Sequence, residues 1–306
     1  MSAVICMATC NGSRWLPMQL ESLLAQTDSD WQLLISDDRS TDGTDRLLQD
    51  FERRDSRIQV LPPRSGLPGA AANFEYLLQE VQRCEPNAAC ILLCDQDDFW
   101  EADKLALQRQ ALRSGHGCYT DLALMDSRGA EIAPSFLRQL RAPRRPAVSD
   151  LLAQNTVVGC SLALRPSVLE LALPFPAGLM NHDWWLALCA RTRGELLCLD
   201  RPLVRYRQHA GNVIGAFRPA RQLFRLPALV ERQHAVLCGQ LVAVAVLVER
   251  LEMRGEEVPA ALKNYLARVG SEKALARLAA LAGSEFAAPQ LPLRSLRAFA
   301  ALKRLC

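Results

Sequence analysis

The stretch CILLCDQDDFW, residues 90–100, runs an apolar segment straight into three carboxylates, Asp95, Asp97 and Asp98. Carboxylates this close raise one another's pKa values and cost stability unless something positive sits among them. A divalent cation meets that need, and hard oxygen donors favour Mg²⁺ or Mn²⁺ over zinc. The bland reading is a solvated loop whose acids cap the next helix, but three acids at one strand end exceed what a cap needs. Two further polar groups recur in the same setting. Thr9 and Asn11 follow the apolar run AVICMA, and Asp37 and Asp38 follow WQLLIS. Near residue 207, Arg205, Tyr206, Arg207, His209 and Asn212 form a polar cluster that an apolar core would not accept unpaired.

The elements that must carry these groups alternate. AVICMA, WQLLISDD, IQVLPP and ACILLCD read as buried strands, and WLPMQLESLLAQT, DGTDRLLQDFERRD and AAANFEYLLQEVQR as amphipathic helices between them. This order implies βαβ units and a parallel sheet, in which ligands bind beyond the carboxyl ends of the strands. Three strand ends aim polar groups at one crevice. Residues 118–215 read as mixed strands and short helices with proline-rich loops (RAPRRPAV, LPFPAG), and the pattern beyond about 218 is helical. TVVGCSLAL, residues 156–164, reads as a strand in which Gly159 allows close approach.

A chain of 306 residues with 50% apolar and 23% charged residues is ordinary globular material. Its net charge of +3 is too small to argue for nucleic acid as a partner. The charge is unevenly spread: residues 216–306 carry 14 Lys/Arg against 7 Asp/Glu, while the first 215 carry 22 against 26. The 11 cysteines form no Cys-x-x-Cys pair, which disfavours zinc and a disulfide framework and suggests a reducing cytoplasm. MSAVICMATCNG lacks the basic leader and cleavage site of a signal peptide. The apolar run at Ala235–Val248 is 14 residues, too short to span a bilayer.

The ordered motifs MATCNG, ISDDRSTDGT, LCDQDDFW, NHDWW and YRQHAGNVIGA resemble family-2 glycosyltransferases, and DQDD-x-W with YRQH-x-x-N-x-x-G is similar to the bacterial rhamnosyltransferase branch. The resemblance covers about residues 3–215. It implies an α/β protein of the GT-A type: a Rossmann-like, mostly parallel sheet flanked by helices, here with a helical C-terminal extension. Residues 1–215 would be the catalytic domain and 216–306 a basic helical region. The implied reaction is an inverting hexosyl transfer, with dTDP-L-rhamnose the favoured donor over UDP-linked sugars. The acceptor would be a glycan or lipid-linked saccharide of the bacterial cell surface, such as lipopolysaccharide core or O-antigen.

The resemblance also implies roles for individual residues. Asp38 would accept a hydrogen bond from the nucleobase, Asp37 being structural, while Thr9, Asn11, Asn73, Asp95 and Asp97 would line the donor site. Cys10 stands where the family often has an aromatic residue that packs on the base. Many members place an arginine before the asparagine of the glycine-rich loop; here it is Ala72, with Arg64 as the substitute cation and Arg207 as a diphosphate clamp. The metal would be held by Asp97 or Asp98 with His209, whose imidazole suits Mn²⁺ better than Mg²⁺. Asp183 matches the family's general base, His182 standing where the usual glutamate is, although Asp183 also suits a helix N-cap. Trp100, Gly159, Cys160, His182, Trp184 and Trp185 would line the acceptor and sugar pocket, with the tryptophans equally suited to a core.

Three rivals fit less well. A haloacid-dehalogenase phosphohydrolase needs Thr or Val where Phe99 stands. A sugar nucleotidyltransferase needs a cation-bearing glycine-rich loop after the first strand, where only Arg14 is found, and a binding module has no use for Asp183. In the tail, LPLRSLRAFAALKRLC sets Leu293, Leu296, Phe299 and Ala300 near one helical face with Arg294, Arg297, Lys303 and Arg304 around it. This suggests peripheral docking on the anionic inner face of the cytoplasmic membrane. The alternatives are packing on the catalytic domain or on a second subunit in a homodimer.

Overall fold

The computed structural model describes residues 2–66, 68–209 and 226–269. In chain order the first half holds β1 (Ala3–Thr9), α1 (Leu16–Leu24), β2 (Trp31–Asp37), α2 (Thr44–Arg54), β3 (Ile58–Val60), α3 (Ala70–Cys84), β4 (Cys90–Asp95) and β5 (Phe99–Trp100). The second half of the sheet region holds α4 (Lys104–Ala111), β6 (Gly117–Met125), β7 (Glu131–Ala133), α5 (Phe136–Leu140), α6 (Val148–Ala153), β8 (Leu162–Leu164), α7 (Leu169–Ala172), α8 (His182–Arg193) and β9 (Leu196–Arg207). Two helices follow, α9 (Leu226–Met253) and α10 (Ala260–Val269).

β1 through β4 are parallel, in the order β3-β2-β1-β4. Their near-continuous apolar runs suit strands covered on both faces: Ile5, Met7, Leu33, Ile35, Leu92 and Cys94 are all buried in one cluster. Helix α1 presents Leu16, Leu20 and Leu23 to that cluster, at the spacing of one helical face. The register decides where the polar ends come to lie. Thr9 pairs with Asp37 and Ala8 with Asp95, so the groups ending these strands stand level at one edge.

Beyond β4 the sheet changes character. β8 runs antiparallel between β4 and β6, and β6 is parallel to β9. β5 follows the acid loop within three residues of β4 yet pairs at the far end of the sheet, antiparallel to β9, with Phe99 opposite Arg205 and Trp100 opposite Val204. The sheet therefore curls, and the acid loop bridges its two halves. β6 and β9 shift register between Thr120 and Leu122, where Asp121 turns its carboxylate to the N–H groups of Leu122, Phe136 and Leu137 at the start of α5.

The chain divides into two compact units, Met1–Pro174 with His182–Phe217, and Phe175–Asn181 with Arg218–Cys306. The boundary expected at residue 215, Asn212, and the basic stretch from Leu293 to Arg304 lie outside the described residues. Among the described residues no helix is long and apolar enough to cross a membrane.

Candidate active site

The loop after β1 is held to the loop after β2. Thr9 Oγ1 donates to Asp37 Oδ1 at 2.8 Å, and Asp37 also accepts the hydroxyl and the N–H of Ser40. Asp37 is thus a structural acceptor. Asn11 takes a left-handed conformation (φ 51°), donates its N–H to Ser40 Oγ and accepts the N–H of Thr41 at 2.8 Å. Asp38 is buried where these loops meet the glycine-rich loop. Its Oδ1 pairs with Arg64 at 3.1 Å and its Oδ2 accepts the N–H of Gly69 at 2.7 Å, which ties the glycine-rich loop down over β2.

Two expected donor contacts are corrected here. Arg64 has its side chain 7% exposed and committed to Asp38, so it is not a cation open to a phosphate. Asn73, 2% exposed, donates to the carbonyl of Ser36 and braces α3 against β2 instead of facing a ligand.

The acid loop is fixed at three points. Gln96 uses both ends of its carboxamide on Cys10: the N–H of Cys10 donates to Oε1 at 2.8 Å and Nε2 donates to the Cys10 carbonyl at 2.9 Å. A Cβ on Gly12 would fall on Oε1 of Gln96, so the glycine makes room for this clamp. Asp98, fully buried, accepts the backbone N–H of Arg207 at 3.0 Å and the Cys160 thiol, while its Oδ2 has no partner among the described residues. Arg207 is 1% exposed, and its guanidinium donates to the carbonyls of Asp97 (2.7 Å) and Asp126 (3.3 Å). It is a strut inside the protein and not the solvent-facing diphosphate clamp expected from the sequence.

Ligand atoms of Asp95, Asp98 and Cys160 lie within 4.8 Å of one another. Burial, then the charges of Asp97 and Asp183, push the Asp95 carboxyl up to about 7. Burial, then Asp97 and Asp95, raise Asp98 well above the carboxylate range. Asp97 points its Oδ2 at His209 Nε2, 2.6 Å away, and the imidazole stacks on Trp15 with ring centroids 4.2 Å apart. The surplus of buried carboxylate and the orphaned Oδ2 of Asp98 fit a divalent cation. Asp97 with His209 offers an oxygen and a nitrogen, a set suited to Mn²⁺, and Asp98 lies deeper behind them.

Asp183 lies in the first turn of α8. Its Oδ1 accepts the N–H of Trp184 at 2.7 Å and the side-chain amide of Asn155 at 3.2 Å, and the Gly159 N–H also bonds to the carboxylate. Burial lifts its pKa from 3.8 to about 6. His182 stacks on Phe74 at 4.4 Å, and burial pushes it down to about 4, so it is neutral. A Cβ on Gly159 would stand 3.3 Å from His182 Nε2, so the glycine lets this ring pack closely.

The tryptophans expected in the pocket are core residues. Trp184 and Trp185 are 0% exposed, with indole N–H groups bonded to the carbonyls of Leu151 and Ala172. Trp100 is equally buried, beneath Lys104 Nζ at 3.5 Å from the ring centre. Cys160 is also buried, with its thiol on Asp98 and not on a pocket wall. Gln96, Gly12, Trp15 and Asn155 were not singled out from the sequence; each acts through a partner 28 to 194 positions away, a pairing no local pattern displays.

A model of Glycosyl transferase family 2 matches residues 4–137. The chain is 32% identical over 224 residues to the dTDP-rhamnosyl transferase RfbG of Shigella flexneri, covering 69% of this chain and 74% of that one. In fold it is similar to TarS 1–349 of S. aureus, solved with UDP-GlcNAc, with TM-score 0.54, 16% identity, and coverage of 82% of this chain and 72% of that one. It is also similar to the mannosyltransferase PcManGT of Pyrobaculum calidifontis, solved with GDP-Man and Mn²⁺, with TM-score 0.52, 17% identity, and coverage of 99% and 80%.

Two expectations follow from this geometry. Gly12→Ala and Gln96→Ala each break the same clamp, so each weakens Mn²⁺ binding by on the order of tenfold, and the double variant is no worse than either alone; titration calorimetry checks this. The folded-state pKa of Asp183 lies above its ordinary value, so the stability linked to this carboxyl is fully present below about pH 4 and lost as the pH rises through about 6. Asp183→Asn keeps the acceptor oxygen and removes the charge. Denaturant melts should show it about 3 kcal/mol more stable than the parent at pH 7.5 and close to it at pH 4.

Proposed function

The chain belongs to glycosyl transferase family 2, and on that premise we propose that it transfers L-rhamnose from dTDP-L-rhamnose, with inversion, to a saccharide acceptor of a bacterial cell-surface glycan. It is a glycosyltransferase with the GT-A fold, and the rhamnosyl donor is favoured by its likeness to RfbG. The observation that carries the mechanism is one buried carboxylate, Asp183, close enough to the acid loop for its charge to act on Asp95. In this reading residues 1–215 form the catalytic domain.

Asp38, whose carboxylate keeps acceptor capacity beyond the bonds from Arg64 and Gly69, receives the nucleobase N–H, and Asn11 and Thr9 hold the neighbouring loop. Asp97 and His209, with Asp98 behind them, would hold Mg²⁺ or Mn²⁺, which when bound would supply positive charge at the leaving diphosphate. The acceptor hydroxyl binds at Asp183, near Gly159 and His182. As its oxygen forms the new bond to the anomeric carbon, Asp183 takes the hydroxyl proton and the carbon–oxygen bond to the nucleoside diphosphate breaks. A carboxylate with pKa near 6 is ionised at neutral pH and more basic than a free aspartate, which suits a general base. Asn155 and the Gly159 N–H orient it, and His182, neutral, adds no charge to oppose its ionisation.

The basic C-terminal stretch, net +7 over residues 216–306, supports peripheral contact with the inner face of the cytoplasmic membrane, where a lipid-linked acceptor would lie.

Thermal stabilisation by dTDP, UDP and GDP, each with Mg²⁺ or Mn²⁺, tests the donor. The largest shift is expected with dTDP, and a larger one with UDP or GDP replaces rhamnose as the donor sugar. Asp183→Asn should keep nucleotide binding and lose about a thousandfold in turnover; near-normal turnover would make Asp183 a helix cap only. Vesicle flotation checks the membrane contact: binding to anionic but not neutral vesicles, lost on removal of residues 289–306, is expected, and equal flotation of the shortened chain rules it out.

A further inference from the structure

A nucleoside diphosphate brings about three negative charges into a crevice already rich in carboxylates, so a metal ion alone leaves negative charge uncompensated. The cations expected to help are committed elsewhere. Arg64 is paired with Asp38, Arg207 is buried on the carbonyls of Asp97 and Asp126, and Ala72 stands before Asn73 in the glycine-rich loop.

Arg14 is differently placed. It is exposed, and among the described residues no carboxylate pairs with it. Its guanidinium lies 4.9 Å from the centre of the Trp15 ring, the same ring that stacks on His209, whose Nε2 in turn meets Asp97. Arg14 is therefore one ring away from the metal-ligand pair, and its positive charge reaches Arg207.

The turn that carries Arg14 is rigid. The N–H of Gly12 donates to Thr44 Oγ1 and that of Ser13 to Asp42, while the N–H groups of Trp15 and Leu16 both return to the Gly12 carbonyl. An arginine laid along an indole on a pinned turn loses less freedom on binding than one swinging in water, and its fork matches phosphate oxygens.

We infer that Arg14, braced by Trp15, is the cation that binds the donor's diphosphate, in place of the arginine the glycine-rich loop lacks. This rests on the nucleotide-sugar reading above and extends it to a named phosphate contact.

The test uses the full chain and compares dTDP, UDP and GDP with their monophosphates and nucleosides by calorimetry in Mn²⁺. For whichever diphosphate the parent binds most tightly, Arg14→Gln should weaken binding by about ten- to a hundredfold while leaving the nucleoside unchanged. Arg14→Lys should recover part of the loss, since it restores charge without the fork. Arg14 is exposed, so the ligand-free melting temperature should not move. Parent-like diphosphate binding by Arg14→Gln overturns the inference alone, as does an equal loss for nucleoside and diphosphate. A parent chain that binds none of the three diphosphates overturns the donor reading and this inference with it.

Discussion

Three carboxylates packed into four residues repel one another, and the chain after β4 is arranged to hold them together regardless. At the separation of Asp95 and Asp98, within 4.8 Å, like charges in a protein of effective dielectric about 20 repel by about 3 kcal/mol. A helix cap returns only about 1 kcal/mol, so capping alone does not account for the cluster. The loop is restrained instead by distant parts of the chain: Gln96 on Cys10, Asp98 on the Arg207 N–H, and the Arg207 guanidinium on the Asp97 carbonyl. The pairing of β5 with β9 makes the last two contacts available, because it returns the chain just after the acids to the strand that ends at Arg207.

The same trade between stability and chemistry governs Asp183. Burial that raises its pKa disfavours its ionised form, and the hydrogen bonds from Trp184, Asn155 and Gly159 offset only part of that cost. A carboxylate serving only as a cap would be better left in water with a lower pKa. Its enclosure beside Gly159 and a neutral His182 suits the proton acceptor proposed above, where basicity matters more than stability.

The helix α8 is buried almost all round, and its tryptophan pair fixes Asp183 from one side. Each indole N–H finds a carbonyl, on α6 through Leu151 and on α7 through Ala172, so the two short helices and α8 form one packed block. The tryptophans thus position Asp183 from within the core. Lys104 plays a comparable interior part under the acid loop, with Nζ on Gln108 and over the Trp100 ring, and burial lowers its pKa to about 8.

The sequence by itself determined the alternation of strands and helices through residue 95, because apolar runs and helical periodicity are local properties that tertiary packing here reinforces. It also determined that Thr9, Asp37, Asp38 and Asp95 gather at strand ends, since a parallel sheet sets consecutive carboxyl ends side by side. Tertiary structure alone decided which polar groups remain open. Arg64, Asn73 and Arg207 look like ligand contacts in the sequence, but each is consumed by an internal partner. Trp184 and Trp185 suit a sugar pocket by type and lie in the core by placement. The antiparallel β8, the far-edge pairing of β5 and the Gln96 clamp depend on contacts between segments 70 to 110 residues apart. Residue type states what a side chain is able to bond, whereas its actual partner is set by the curl of the sheet, which no window of sequence contains.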